Sequence, residues 1–341
     1  MLIRMDDTFV LVIAPDKFKG TASAFEVARW CEEVAEGLGY QSVGFAMSDG
    51  GEGLLDAIGG EVFEDLVTSP LGGEILAKWS MREKTAVIEM AKASGLSLVG
   101  EATGNDPMRA TTKGTGQLIV KAIERGAEEV LVGCGGSATI DGGVGALEAM
   151  EPLGRFGGVT LRALVDTRTR FLDAAREFGA QKGANEFQVR ELTHRLQVVA
   201  DRFLAEKGID VTEVDGAGAA GGLAGALYVA GAQIVSGFDF VSDYLQLGSY
   251  LKRASLVITG EGQLDSTSFT GKVVGSIAEL AHTLGIDCFI IAGRATEDGI
   301  SKANDLGCKV ALIGDPTSQA IPKPKEMESL VKSCVKGLLS R

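Results

Sequence analysis

The sequence predicts an α/β protein in which both chain ends build one doubly wound parallel sheet around an inserted domain of mixed α/β architecture. Near both ends of the 341-residue chain, continuous apolar runs rich in β-branched residues alternate with helical patterns. This alternation is typical of buried parallel strands connected by helices. In between, the pattern changes to alternating segments and glycine-rich loops. We therefore expect a discontinuous domain formed by 1–65 and 255–341, and an insertion formed by 66–254.

The N-terminal part of the sheet begins with the apolar run FVLVIAP at 9–15, which predicts the first strand. Ser23 and Glu26 have the spacing of a capping box and predict the start of a helix. A second strand is predicted at 42–47. It leads into the glycine-rich segment SDGGEG at 48–53, which is followed by a short helix, LLDAI.

The inserted part is expected to contain antiparallel strands within 68–96, because turn signals separate alternating segments there. The run VLVGC predicts a further strand. Amphipathic patterns predict helices at 115–125, about 143–150, and 186–207. Two glycine-rich loops, GCGGSATIDGG at 133–143 and DGAGAAGGLAGAL at 215–227, each lead into a helix.

Strand–helix alternation returns in the last third of the chain. The runs LVITGEG, CFIIAG and KVALIG predict three strands, separated by helices near 272–284 and 297–306. With the two N-terminal units, they make five strand–helix units. Such a series favours one doubly wound sheet, and sheets of this kind bind ligands beyond the carboxyl ends of their strands.

Composition and charge restrict the partners. The chain carries 33 Lys and Arg against 46 Asp and Glu, a net charge of −13. It has no basic block, so we expect neither nucleic acid nor a membrane as a partner. Five scattered cysteines without a CxxC pair are typical of free thiols in a reducing compartment. The sequence has no long uncharged apolar stretch, and we expect a cytoplasmic protein.

The glycine loops indicate phosphate binding. Glycine permits positive φ and lets backbone N–H groups converge on an anion, and a following helix N-terminus adds further donors. The candidate donors are Gly135, Gly136 and Ser137 in the first loop and Gly216, Gly218 and Gly221 in the second. The alternative is that these glycines serve only tight turns and close helix packing.

Charged residues beside the loops favour phosphoryl transfer, because lysines neutralise phosphate oxygens and carboxylates hold Mg²⁺. The carboxylates are Asp16, Asp49, Glu52, Asp141, Glu261 and Asp265. Each of them, taken alone, is more often solvated surface than a catalytic group. No P-loop motif occurs. The segment GAGAAG at 216–221 matches a dinucleotide-binding fingerprint only formally, since no clear strand precedes it.

Eight motifs occur in order along residues 14–272. They are APDKFKG, SDGGEG, EMAKASGL, TKGTGQLI, GCGGSATIDGG, FGAQKGA, GAGAAGGL and LVITGEGQLD. Together they resemble the bacterial glycerate kinase family that makes 2-phosphoglycerate. The resemblance implies Mg²⁺-assisted transfer of the γ-phosphate of ATP to D-glycerate. It also implies a Rossmann-like domain made from both chain ends, with the active site in the cleft between that domain and the insertion. The oligomeric state stays open, a homodimer included.

With this resemblance, most of the charged candidates take a role, whereas Asp16 and Glu261 take none. The catalytic candidates are Asp49, Asp141, Lys17 and Asp265. Asp49 and Asp141 are also the candidates for holding Mg²⁺, and which of them activates the hydroxyl stays open. The expected substrate-binding residues are Lys19, Ser23, Glu52, Lys113, Lys182 and Lys272.

The chain also departs from the family. It is shorter, with the shortfall expected after Met150, and ALVDTRTRF stands where the family has a Cys-Asp-Val-x-Asn-Pro motif. Thr267 and Ser268 replace a common Gln-Thr pair. Two other functions stay open: a dinucleotide-dependent oxidoreductase that uses the 216–221 loop, and a degenerate kinase fold that binds its ligands without turnover.

Overall fold

The computed structural model of the chain describes residues 10–314 and 322–340, which contain eleven β-strands and fourteen α-helices. The strands are β1 (Val10–Ile13), β2 (Gln41–Gly44), β3 (Glu61–Thr68), β4 (Glu74–Arg82), β5 (Thr85–Glu89), β6 (Glu129–Gly133), β7 (Thr160–Val165), β8 (Gln233–Ser236), β9 (Ala254–Leu264), β10 (Asp287–Ala295) and β11 (Lys309–Leu312). The helices are α1 (Ala24–Gly37), α2 (Leu54–Ile58), α3 (Ala91–Ser94), α4 (Glu101–Gly104), α5 (Lys113–Glu124), α6 (Val144–Met150), α7 (Ala174–Phe178), α8 (Glu186–Lys207), α9 (Leu223–Val229), α10 (Gly237–Tyr244), α11 (Leu247–Leu251), α12 (Val273–Leu284), α13 (Glu297–Asp305) and α14 (Pro324–Leu339). None of the helices in these two ranges has the length and apolar character needed to cross a bilayer.

Contacts divide the described residues into two compact units. The first unit holds the residues up to Ser48 and those from Val241 onward, and the second holds Asp49–Phe240. The sequence pattern instead places the boundaries at 65/66 and 254/255. The segment after Asp49 belongs with the second unit because α2 packs against β5 and β3 pairs with β4. The helix α11 belongs with the first unit because it packs against β1 and β9.

The first unit contains the doubly wound sheet expected from the sequence. Its five strands lie in the order β11-β10-β9-β1-β2, and every neighbouring pair is parallel. Both chain ends contribute strands. The strand order reverses at the β1–β9 pair, since β2 lies on one side of β1 while β9, β10 and β11 extend on the other. Open α/β sheets bind ligands at the carboxyl ends of strands beside such a reversal.

Alternate residues of β10 face helices on opposite sides of this sheet. Phe289 and Ile291 pack in a cluster with α1 and α14, whereas Cys288 and Ile290 pack with α12 and α13. The sheet is therefore covered on both faces, as the apolar runs predict. The sequence analysis assigned no element to α14. This helix begins at Pro324, whose fixed φ suits the first helical position.

The second unit contains a mixed sheet in the order β3-β4-β5-β6-β7-β8. The pairs β3–β4 and β4–β5 are antiparallel, and the pairs from β5 to β8 are parallel. The antiparallel strands expected within 68–96 are β4 and β5. Three strands lacked a clear sequence signal: β3 and β8 are edge strands with few buried residues, and β7 is short and interrupted by Arg162.

Two long helices begin where the sequence places them. The Ser23 hydroxyl of α1 accepts a hydrogen bond from the Glu26 amide at 3.2 Å, and the Glu26 carboxylate accepts one from the Ser23 amide at 2.9 Å. This reciprocal pair is the predicted capping box. Helix α8 spans the predicted residues 186–207 and starts with an equivalent pair, Asn185 and Gln188.

Candidate functional site

Acidic and basic side chains meet in the first unit where β1 and β9 lie side by side. Asp16 follows β1 and is buried, and its amide donates to the Gly260 carbonyl of β9 at 2.8 Å. The Lys17 amide donates to the Asp16 carboxylate at 2.7 Å, and the Lys17 ammonium lies 3.5 Å from that carboxylate. Lys19 follows on the same loop and is exposed. The strand reversal therefore carries a local ion pair at its carboxyl edge.

Glu261 lies within β9 at the same edge and has a strongly shifted pKa. Its pKa is raised to about 7, mainly by burial; the Ser268 hydroxyl and Lys272 oppose this shift, and the Asp16 and Asp265 carboxylates add to it. Its Oε1 is buried without a hydrogen-bond partner among the described residues. The sequence places Glu261 beside glycine after an apolar run but gives it no role. Its raised pKa depends mainly on burial in the folded chain, which no local pattern encodes.

Asp265 and Lys272 lie close to Glu261 but have local partners. The Asp265 carboxylate accepts from the Thr267 amide at 2.8 Å and from the Thr267 hydroxyl at 2.6 Å. These hydrogen bonds, the hydroxyl first, hold the pKa of Asp265 below its ordinary value. The Lys272 ammonium donates to the same hydroxyl at 3.2 Å. Asp265 thus caps the short 3-10 helix Ser266–Phe269, and its catalytic role stays a prediction.

Three glycine loops pack against one another in the second unit. A Cβ on Gly135 would lie 2.7 Å from the Cα of Gly51, so the 133–143 loop contacts the 49–53 loop backbone to backbone. A Cβ on Gly221 would lie 1.9 Å from the Thr139 carbonyl oxygen. The Gly142 amide donates to the Gly221 carbonyl at 3.0 Å. Side chains at Gly135 and Gly221 would separate these loops.

The loop at 216–221 is explained by internal packing. The Gly218 amide donates to the Thr169 carbonyl at 2.9 Å, and a Cβ on Gly218 would lie 2.3 Å from the Arg170 carbonyl oxygen. A Cβ on Gly216 would be crowded by Val165 and Ile234. The segment before this loop, 208–215, contains no strand. The loop therefore lacks the strand that a dinucleotide-binding fingerprint requires, and phosphate binding by these glycines stays a prediction.

Backbone donors of the 133–143 loop are free to bind a ligand. Among the described residues, the amides of Gly135, Gly136 and Ser137 donate no hydrogen bond. Gly136 has a φ of 71°, and the flanking chain is held by a bridge between Gly95 and Ser137. Successive N–H groups around a left-handed residue form an anion-binding concavity. The three residues predicted to contact phosphate thus present consecutive unpaired donors.

Asp141 connects this loop to the start of α5. Its carboxylate accepts from the Thr112 amide at 2.8 Å and from the Thr112 hydroxyl at 2.9 Å. It also accepts from the amides of Gly143 at 3.0 Å and Gly145 at 3.3 Å. Three of these donors are on Oδ2 and one is on Oδ1, so the carboxylate is fixed between the start of α5 and the start of α6. Lys113, the first residue of α5, is exposed beside this connection.

Lys182 lies under the same loop and is only 6% exposed. Its ammonium donates to the Ser137 hydroxyl at 2.7 Å and to the Thr139 carbonyl at 2.8 Å. Burial lowers the pKa of Lys182 to about 7, and the Asp141 charge opposes this shift. The Asn105 side-chain amide donates to the carbonyls of Ala138 and Lys182, both at 2.9 Å.

Asp49 and Glu89 lie at the 49–53 loop. The Asp49 carboxylate is nearly buried and accepts from the Gly51 amide at 3.2 Å. Glu89 follows the apolar residues of β5, and its carboxylate accepts from the amides of Gly53 at 2.9 Å and Leu55 at 3.0 Å. Glu89 therefore fixes the loop at the start of α2, although only the motif EMAKASGL pointed to it. Glu52 is exposed on this loop.

The first unit has a doubly wound sheet with charged groups at its strand reversal, and the second unit has a loop of unpaired amides over a buried lysine. These are the parts of a phosphoryl-transferring α/β enzyme. The profile of the glycerate kinase family matches residues 11–154 and 153–336, and the chain belongs to this family. It is a kinase that acts on an alcohol group.

Named relatives agree with this assignment. The chain is 39% identical over 331 residues to a glycerate 2-kinase of Escherichia coli K12, covering 84% of this chain and 86% of the relative. It is 36% identical over 358 residues to a glycerate kinase of Halalkalibacterium halodurans, covering 91% and 93%. A crystal structure from Salmonella typhimurium LT2, assigned as glycerate kinase 2, superposes with a TM-score of 0.81 at 30% identity and covers 98% of both chains.

The family match is interrupted where the sequence departs from the family. The two matched pieces meet at Leu153–Gly154, directly after α6. The alignment with the E. coli relative runs over 331 positions yet takes in only 84% of this chain, so positions of the relative have no counterpart here. This agrees with the shortfall expected after Met150.

Gly221→Ala should destabilise the protein strongly. Gly221 has a φ of 68°, and its Cβ would collide with the Thr139 carbonyl. We expect a loss of about 3 kcal/mol or more, since strain and displacement of the 133–143 loop add. The control is Gly231→Ala, where φ is 95° and nothing lies within 4 Å of the added Cβ. There the loss should be about 1 kcal/mol. Urea unfolding measures both, and equal losses would contradict the close packing of the loops.

Glu261→Gln should stabilise the protein at pH 8 but not at pH 4.5. Because the folded-state pKa of Glu261 is raised to about 7, its contribution to stability is present at low pH and is lost as the pH rises from about 4.5 through 7. The amide avoids this loss, and we expect a gain of about 1–2 kcal/mol at pH 8 after allowing for solvent screening. Thermal unfolding measures it, with the exposed Glu279→Gln as control. The same difference at both pH values would refute the shift.

Proposed function

We propose that this member of the glycerate kinase family transfers the γ-phosphate of ATP to the C2 hydroxyl of D-glycerate, giving 2-phosphoglycerate and ADP. The names of its relatives, glycerate kinase and glycerate 2-kinase, support the substrate. The observation that carries the phosphate-binding part is the run of unpaired amides at Gly135–Ser137 above the buried Lys182. Donors fixed in this way stabilise negative charge without reorganising.

The carboxylates of the second unit fit a Mg²⁺ ion that is held jointly by protein and nucleotide. The described residues contain no group of three or more Asp, Glu, His or Cys side chains that could hold a metal by themselves. Mg²⁺ is usually held by one or two carboxylates, by waters and by the phosphates of the nucleotide. Bound in this way, Mg²⁺ would neutralise phosphate oxygens during transfer.

Asp49 is the better candidate of the two predicted metal-binding carboxylates. Among the described residues it accepts one hydrogen bond, from the Gly51 amide, which leaves its other oxygen available. Asp141 accepts four hydrogen bonds, three on Oδ2 and one on Oδ1, and these tie it to Thr112 and to the start of α6. We therefore propose that Asp49 acts on Mg²⁺ or on the hydroxyl, and that Asp141 positions the phosphate-binding loop.

The charged edge of the first unit is proposed to bind an anionic substrate group. Lys17 and Lys272 supply positive charge there, and Lys19 is exposed on the same loop as Lys17. Glu261, with a pKa raised to about 7, is suited to exchanging a proton near neutral pH. The Ser23 hydroxyl accepts a hydrogen bond in the capping box of α1. We therefore propose that Ser23 contributes to binding by forming the N-terminus of α1 and not by direct contact.

We propose that this enzyme acts on small molecules in a reducing compartment. All five cysteines are free, four of them buried, and the chain has a net charge of −13. Both features support a cytoplasmic protein without a nucleic acid partner. The oxidoreductase alternative loses its support, because no strand precedes the 216–221 loop.

ADP release measured with and without D-glycerate tests the proposed function. We expect release that depends on D-glycerate and on Mg²⁺. The product is then examined by ³¹P NMR without proton decoupling: a phosphate on C2 couples to one proton and gives a doublet, whereas a phosphate on C3 gives a triplet. A triplet would show that the enzyme phosphorylates the C3 hydroxyl and not the C2 hydroxyl. Binding of ATP and glycerate without turnover would indicate a degenerate kinase.

Asp49→Asn should lower glycerate-dependent turnover about 100-fold or more while leaving the melting temperature close to that of the wild type. The amide weakens the hold on a metal or a hydroxyl but can still accept from Gly51. Asp141→Asn should lower the melting temperature as well, because its amide would face backbone donors. Asp56→Asn, on the exposed side of α2, is the matched control. Near-normal turnover of Asp49→Asn would remove Asp49 from the mechanism.

A further inference from the structure

Lys182 is a buried cation whose partners are all neutral. Its ammonium contacts the Ser137 hydroxyl and the Thr139 carbonyl and, within the described part of the chain, forms no ion pair with a carboxylate. The charged group that acts on the pKa of Lys182 is the Asp141 carboxylate, which already accepts four hydrogen bonds. An ammonium buried in this way is costly unless an anion compensates it.

The position of Lys182 is fixed by a second side chain. Asn105 donates to the carbonyls of Lys182 and Ala138 at once, so the backbone of residue 182 is tied to the centre of the 137–139 segment. Gly183 packs closely on the Ala102 carbonyl of α4. The contact between the lysine and the loop is therefore built into the fold.

The direction of the Lys182 hydrogen bond leaves the Ser137 proton available. In its protonated form the Lys182 side chain has three donors and no acceptor, so the Ser137 oxygen then accepts from it. Ser137 can then donate its own proton to a ligand. Its amide and those of Gly135 and Gly136 are unpaired among the described residues. The three amides and the Ser137 hydroxyl thus offer donors to a ligand, which favours an oxyanion.

We propose that Lys182 is the counter-charge for an oxyanion bound by the Gly135–Ser137 amides, and that Lys182 takes up a proton when that oxyanion binds. Lys182 is then a positioning residue that acts through Ser137 and does not contact the substrate itself. The inference rests on the proposed function, because it assumes that the anion is a substrate group: a phosphate of the nucleotide or the carboxylate of glycerate.

The titration of Lys182 agrees with this arrangement. Burial lowers its pKa to about 7 and Asp141 alone among its charged neighbours opposes the shift; the other facing groups, Asn105, Ser137, Thr139 and the Phe178 ring, carry no charge. At pH 8 most Lys182 side chains are therefore neutral in the free protein. The negative charge of a bound oxyanion favours the protonated form.

Calorimetric titration at pH 8 in buffers of different ionisation enthalpy tests the proposal. One arm uses Mg²⁺ with the non-hydrolysable ATP analogue AMP-PNP, and the other uses D-glycerate alone. In one arm the wild type should take up at least about half a proton more per site than Lys182→Met does. The ligand that causes this extra proton uptake, the nucleotide analogue or D-glycerate, carries the anion that Lys182 compensates. Lys182→Arg, which keeps the charge but does not titrate, should also lose the uptake, whereas the exposed Lys78→Met should keep it.

The absence of a Lys182-dependent proton uptake in both arms overturns the proposal. Circular dichroism and melting temperature show whether each variant is folded. If Lys182→Met does not fold, the wild type alone still decides, because uptake must fall as the pH is lowered from 8 to 6, where Lys182 is already protonated. D-glycerate-dependent ADP release by the wild type separates the two failures: turnover without uptake rejects only this inference, and no turnover rejects the proposed function.

Discussion

The candidate site of the second unit depends on direct contact between backbones that carry no side chains. Gly135 packs on Gly51, and Gly221 packs on the Thr139 carbonyl. These contacts hold three chain segments, far apart in sequence, at distances that any Cβ would increase. They fix where the 133–143 loop runs, and hence where its unpaired amides, Asp141 and the contact with Lys182 lie. The many glycines of this chain act here as packing surfaces and not as sources of mobility.

Two titratable groups, the half-buried Glu261 in the first unit and the buried Lys182 in the second, have pKa values near 7. Burial raises the pKa of Glu261 and lowers that of Lys182, both to about 7. In each case burial disfavours the charged form and nearby groups compensate only in part. Glu261 and Lys182 therefore change charge in the same pH range, although one is an acid and the other a base.

The sequence predicted the fold well wherever local signals were strong. Apolar runs located the buried parallel strands, and capping residues located the starts of α1 and α8. The edge strands β3 and β8 were missed because exposed strands carry mixed residues. In the site, the glycine motifs pointed to Gly135–Ser137, but the partners that define each role were not visible. Asn105, Thr112 and Glu89 act through contacts with residues 29 to 77 positions away, and only the folded chain brings these together.

The interruption of the family match at Leu153–Gly154 lies in the connection between α6 and β7. Beyond it, β7 pairs with β6 in an unbroken register from Glu129 with Thr160 to Gly133 with Leu164. Length can therefore be gained or lost in this connection without shifting any strand against its neighbour. A change of length at this junction therefore leaves the parallel part of the second sheet in register.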